Sequence, residues 1–396
     1  MGFFVRPALP TTYYQLHATA ACPALLPGLL SAPMNDRERF IACVRGEPVD
    51  RPPYWVFWGP WGLTWDRWRT EGMTPELVPG WQDLRAFFGS DAVPQVLPVN
   101  FGPCPSAGRG VIEDTGEYVI SVDNWGVKRR DFKHYGSMPE FIDFPIKSRA
   151  DWDRYKKEHL NPDDPRRLAG PWRERGREWM AKGWPIQMAT FPDVGVYGCL
   201  RWLLGDEECL MALYTEPDLV LDIIRHLTDL WLYVFAKVAA EVRVDMVQFW
   251  EDMCGRQGPL ISPAHFSEFM AESYGRVSGF CKAKGIPILA VDTDGMPDLL
   301  LPGMIKAGMN LMFPFEVQAG CDVNDFGARY PQLAMLGGID KRVLAKDKAA
   351  IDRELQRVNP AVKRGRYIPE LDHLAPPDVS WENFCHYQKR RKEMWA

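Results

Sequence analysis

The sequence predicts a (β/α)8 barrel, the TIM-barrel architecture, with a β-hairpin insertion and extra surface helices. Three observations carry this. Apolar runs of strand length recur at 54–58, near 92–97, and at 186–190, 245–250, 287–291, 310–315, 333–337 and 366–371. Helical patterns separate most of them, at 217–242, 263–284, 297–307, 347–363 and 380–394. Strands alternating with helices imply βα units and a parallel sheet, and eight of them make a barrel. The 34 Pro and 33 Gly suit the many short ordered loops that such a chain needs.

Folding signals begin at Asn35, which with Glu38 forms a capping-box pattern; Phe40, Ile41 and Val44 follow at helical spacing, and Gly46 stops the helix. The Pro-bounded run PVDRPPYWVFW holds the first strand, 54–58. Residues 111–135 break the rhythm with turn signals at Thr115-Gly116 and Asn124-Trp125-Gly126, and read as an inserted hairpin or meander. The charged stretch 147–183 reads as surface helices. Residues 1–33, with one charge and a Pro-broken apolar run, are expected to be an extension outside a single barrel domain spanning 34–396.

Composition narrows the class. With 46% hydrophobic and 25% charged residues, the chain has the make-up of a globular protein that buries a sizeable core. A net charge of -5 argues against nucleic acid as a partner. No apolar window reaches the roughly 18 residues of a membrane span. The nine cysteines include no C-x-x-C pair and are odd in number, which points to buried thiols in a reducing cytoplasm and not to a disulfide framework or a thiolate zinc cluster.

In a barrel of this kind chemistry sits where strands end. After the successive strands come Asp193, then Glu251 and Asp252, then Asp292 and Asp294, then Glu316, then Asp340, then Asp372 and His373. Asp292 or Asp294 alone reads as a helix cap. Together, Asp292, Asp294, Glu316 and His373 are expected to converge on one rim as a divalent-metal site. Glu251, Asp252 and Tyr367 are candidate acid–base or supporting groups, with His265 placed at a helix start. Among the 16 Trp, Trp55, Trp58 and Trp61, with Trp65 and Trp68, are candidates for an aromatic substrate wall, and Asp193 and Asp340 for substrate contacts.

The segments MNDRERFIACVRGEPVDRPP, GGIDKRVLA and YIPELDHLAPPDVSWENFCHY resemble the opening and closing signatures of the uroporphyrinogen decarboxylase superfamily, from about Met34 to the end. The resemblance implies the same barrel and a homodimer. The decarboxylases of that superfamily carry a Q-A-G-R loop where this chain has WGPWGLTWDRW, and a catalytic Asp where this chain runs near Pro98, so porphyrinogen decarboxylation is not expected. The other branch transfers methyl groups with zinc and a corrinoid, using an H-x-C pair and a later Cys. Here Asp292 and Asp294 stand at the pair, Glu316 follows Asp294 by 22 residues, and His373 takes the late position. Exchanging thiolates for carboxylates makes a harder site that suits an oxygen ligand. The resemblance therefore implies a methyltransferase that depends on a divalent metal, expected to be zinc, and moves a methyl group from a methoxylated, aromatic small molecule to the Co(I) corrinoid of a separate protein. The alternatives are a decarboxylase or lyase on another small acid, and a barrel that only binds.

Overall fold

The computed structural model describes residues 33–134, 138–189 and 191–395, and the fold below is that of Met34–Ala396. The expected extension 1–33 lies outside the described residues, apart from Pro33. The strands in chain order are β1 (Gln95–Val96), β2 (Gly110–Asp114), β3 (Tyr118–Val122), β4 (Lys128–Phe132), β5 (Glu140–Asp143), β6 (Ile186–Met188), β7 (Met246–Trp250), β8 (Cys254–Gly255), β9 (Gly258–Pro259), β10 (Ile288–Asp292), β11 (Leu311–Phe313), β12 (Ala334–Ile339) and β13 (Tyr367–Leu371). Seven of them, in the order β1-β6-β7-β10-β11-β12-β13, form one curled parallel sheet. The expected hairpin or meander forms as the four-stranded antiparallel sheet β2-β3-β4-β5, two strands larger than a hairpin. Among the described residues, no helix is long and apolar enough to cross a membrane.

The strand pleat sorts each residue to one of two cores, because side chains alternate with period two. Met246, Ile288, Ala290, Leu311, Phe313, Ala334, Leu336 and Ile368 fill the barrel interior with Phe40 and Trp55. Val247, Phe249, Leu289, Val291, Met312, Met335 and Tyr367 face the surrounding helices. The long helix Pro217–Ala239 buries Leu219, Val220, Ile223, Ile224, Leu227, Trp231 and Val234 at helical spacing against that outer layer. The capping box forms as read: the Asn35 side chain accepts from the Glu38 N–H while the Glu38 side chain accepts from the Asn35 N–H.

The eighth strand differs from the expectation. Residues 54–56 are buried and 57–58 half-buried, but the segment joins no ladder; the nearest pairing is a single parallel bridge from Pro60 to Ala375. Pro52, Pro53 and Pro369 carry no N–H, so a regular ladder between the first and last segments would lack donors. Side chains take its place. The Phe57 N–H donates to Glu370 Oε2 (3.1 Å), Arg391 Nη1 donates to the Trp55 carbonyl (3.0 Å), the Tyr54 N–H donates to Asp91 Oδ2 (2.9 Å) and the Val56 N–H to Ser90 Oγ (3.1 Å). Arg391 and Glu370 form an ion pair at 3.3 Å with side chains 1% and 0% exposed.

Removing one partner of a buried pair strands the other charge. Arg391→Met is expected to lower the unfolding free energy by about 3–5 kcal/mol in urea titrations, and Arg391→Met with Glu370→Gln by less than the sum of the two single changes.

Candidate functional site

The inner face of the sheet ends in polar residues at the carboxyl end of the barrel. Asp292 continues the inward parity of Ile288 and Ala290, and Gln248 that of Met246. Gln187 Nε2 donates to Gln248 Oε1 (2.6 Å), and Gln248 Nε2 contacts Asp292 Oδ2 at 3.4 Å. This amide relay fixes the Asp292 carboxyl toward a cavity of about 690 Å³ that opens at the strand ends. Asp252, Asp294, Glu316, Lys341 and His373 line the same cavity.

Two loops bring the acidic groups together. Asp372, just after β13, accepts from the Val317 N–H with Oδ2 (2.9 Å) and from the Lys341 N–H with Oδ1 (3.0 Å). It thereby ties the loop after β11, which carries Glu316, to the loop after β12, which carries Lys341. Glu316 then accepts from Lys341 Nζ with Oε1 (3.2 Å) and from the Gly295 N–H with Oε2 (3.1 Å). Gly295 has φ +77°, and a Cβ there would lie 2.5 Å from the Cys254 carbonyl oxygen, so the turn after Asp294 requires glycine.

Aromatic side chains line the cavity beside these groups. The His373 ring stacks on Trp58 with centroids 4.7 Å apart and planes at 22°, and Trp61 lies 6.1 Å away. Phe57 meets Phe313 edge-on at 5.6 Å, and Phe191 meets Trp250 edge-on at 4.6 Å. Arg85 also lines the cavity, but its guanidinium donates to the carbonyls of Val56 (3.0 Å) and Phe57 (3.4 Å).

Burial sets the charge states. It pushes the Asp292 carboxyl well above its ordinary range, with Asp252 and Asp294 adding repulsion. Asp294 is pushed up to about 7 by burial and then by Asp252 and Glu316, with Lys341 opposing. Burial and the nearby Lys341 ammonium push His373 down to about 4, so its imidazole is neutral near pH 7.

The structure thus brings together Asp252, Asp292, Asp294, Glu316, His373, Trp58 and Trp61 from the residues singled out in the sequence. It does not assemble the expected four-ligand metal site. The donor types suit a hard cation, yet among the described residues no three His, Cys, Asp or Glu groups are placed to hold a metal ion. Glu316 is engaged by Lys341, Asp292 by Gln248, and His373 lies flat on Trp58.

Other candidates fall elsewhere for local reasons. Glu251 and Tyr367 have the outward parity. Glu251 is buried beneath the helix Val196–Leu204, accepting from the N–H groups of Val196 (3.0 Å), Tyr197 (2.6 Å) and Gly198 (3.0 Å) and from the Tyr274 hydroxyl (2.7 Å). Tyr367 donates to the Gly337 carbonyl (2.7 Å) inside the outer core. Trp55 is packed in the barrel interior. Asp193 accepts from Trp125 Nε1 (3.1 Å) beside the meander. Asp340 caps the turn Lys341–Ala345 and pairs with Arg342 at 2.8 Å. Trp65 and Trp68 belong to the helix Gly62–Thr70, where Trp68 Nε1 donates to the Val379 carbonyl (2.8 Å). Sequence reasoning missed Lys341, Gln187 and Gln248. The signal for Lys341 is its place in GGIDKR, one residue after Asp340.

Comparison with known proteins agrees with this architecture. Residues 204–394, just under half of the chain, match the uroporphyrinogen decarboxylase (URO-D) family. That stretch carries every acidic cavity residue together with Lys341 and His373, while Phe57, Trp58 and Trp61 lie outside it. A methyltransferase from Methanosarcina mazei has a similar fold, with a TM-score of 0.56 and 16% identity over 91% of this chain and 99% of that one. No curated protein sequence matches the chain.

Two outcomes follow from the site's electrostatics and packing. The raised Asp294 value means that the fold favours its protonated form. Its contribution to stability is full below an ordinary carboxyl pKa of 3.8 and is lost as pH rises through about 7. Asp294→Asn is therefore expected to raise the Tm by about 2 °C or more at about pH 8, with the difference vanishing near pH 4 in differential scanning calorimetry. Glu251→Ala leaves three helix N–H groups without acceptors and is expected to cost about 2–4 kcal/mol by denaturant titration.

Proposed function

On the premise that residues 204–394 are a uroporphyrinogen decarboxylase-family segment of the barrel, we propose that the protein is a methyltransferase that demethylates a methoxylated aromatic compound. The acceptor is the Co(I) corrinoid of a separate protein that docks over the cavity mouth. The observation that carries this reading is a cavity of about 690 Å³ lined both by aromatic side chains and by a cluster of polar groups. Such a cavity holds a flat apolar ring against Trp58 and Phe313 and leaves its ether oxygen over the polar groups. The M. mazei methyltransferase of similar fold supports the same class of reaction.

In this reading the chain's residues position the donor and exclude water. Trp58, Trp61 and Phe313 hold the ring. The Gln187–Gln248–Asp292 relay keeps the floor in one arrangement, so that the methyl carbon faces the mouth and the incoming cobalt. A corrinoid in the Co(I) state supplies a strong nucleophile for that carbon. No step is assigned to a metal ion of this chain, because the side chains at the floor do not form a cage.

The test is to mix the protein with a reduced corrinoid protein and methoxybenzenes carrying varied ring substituents, following the corrinoid spectrum and the phenol released. Methyl transfer with stoichiometric phenol is expected, and Trp58→Ala is expected to raise KM about tenfold. Carbon dioxide release from a carboxylic acid, with no change in the corrinoid spectrum, would refute the reading.

A further inference from the structure

We propose that Lys341 is the catalytic residue that bears on the leaving oxygen, donating a hydrogen bond from its ammonium to the ether oxygen and neutralising the phenolate as it forms. This rests on the methyl-transfer reading and names the group that makes the oxygen leave. In the step, the Co(I) pair forms the bond to the methyl carbon while the carbon–oxygen bond breaks. Its electron pair stays on the oxygen and cobalt is formally oxidised to Co(III). The charge that appears on the oxygen has to be met inside a cavity whose floor is otherwise acidic.

The cavity offers few groups for that task. An ionised carboxylate only accepts, and a protonated carboxyl such as Asp294 can donate but brings no positive charge to the oxygen. The Gln187 and Gln248 amides are directed to each other, to the Ala189 carbonyl and to Asp292. The Arg85 guanidinium is turned to two backbone carbonyls. Lys341 is placed differently. Its backbone N–H is fixed on Asp372, and its side chain, 15% exposed, reaches Glu316 at 3.2 Å while lining the cavity. An ammonium has three donors, and Glu316 holds one of them in a defined direction. The Glu316 carboxylate is itself fixed by the Gly295 N–H, so the ammonium is held in place before substrate arrives. Preorganised donors aimed at developing charge typically account for about 10²–10³ in rate.

The experiment is a leaving-group series. Methoxybenzenes whose phenols span a range of acidity are assayed with wild type, Lys341→Met and Lys341→Arg, each checked for unchanged thermal unfolding. Lys341→Met is expected to lose about 10²-fold or more in kcat for the least acidic phenols and much less for nitrophenols, steepening the dependence of rate on phenol pKa, with partial recovery in Lys341→Arg. A second readout needs no turnover. A nitrophenol added below its free pKa is expected to bind wild type as the coloured anion and Lys341→Met as the colourless phenol. Equal slopes in wild type and Lys341→Met would overturn the role of Lys341 while leaving methyl transfer standing. Methyl transfer absent from wild type, with no anion bound, would overturn both. Wild-type activity that requires one tightly bound divalent ion per chain, lost in Asp294→Ala, would assign the oxygen to a metal and overturn the inference.

Discussion

The buried pair of Glu370 and Arg391 is the constraint on which the barrel depends. The first segment of the chain has no partner ladder, so its backbone groups would be unsatisfied inside the protein. Glu370 from the last strand and Arg391 from the last helix supply the missing acceptor and donor to Phe57 and Trp55. The pair also accepts a contact from the Tyr387 hydroxyl, which lies 3.3 Å from Glu370 Oε1. Closure by side chains instead of a ladder joins two regions more than 300 residues apart in sequence. It sets the aromatic run 57–61 against His373, and so creates the cavity wall.

A second tie, just beyond the same end of that strand, organises the floor. Asp372 follows Glu370 by two residues and bonds two loops at once. Its carboxyl is raised to about 6 by burial, with the Lys341 ammonium and N–H opposing. The loops it joins carry Glu316 and Lys341 to each other. The last strand and the residues just beyond it thus deliver both halves of the site: Glu370 holds the wall and Asp372 holds the floor. The acidic residues need not form a metal cage for this arrangement to have chemical meaning, because one ammonium among several carboxylates is already a polarised centre.

The sequence made much of this legible. Strand positions, the capping box and the meander were readable because they follow from local periodicity and turn chemistry. The convergence of Asp292, Asp294, Glu316 and His373 on one rim followed from barrel topology, which places every strand end at one mouth. Pleat parity was also written in the sequence. Strict alternation turns Glu251 and Tyr367 outward, since they share the parity of Val247 and Phe249 in one strand and of an outer-core position in the other.

What the sequence determined by itself was the identity and order of the βα units and the set of strand-end residues, because both depend on near neighbours. Tertiary structure alone decided which of those residues act together. Whether Glu316 meets a cation or Lys341, whether Asp340 faces the cavity or caps its own turn, and whether 54–58 joins a ladder depend on groups far apart in the chain. Hydrogen-bond partners of that kind are fixed by the three-dimensional competition for buried donors and acceptors, and no local pattern encodes its outcome.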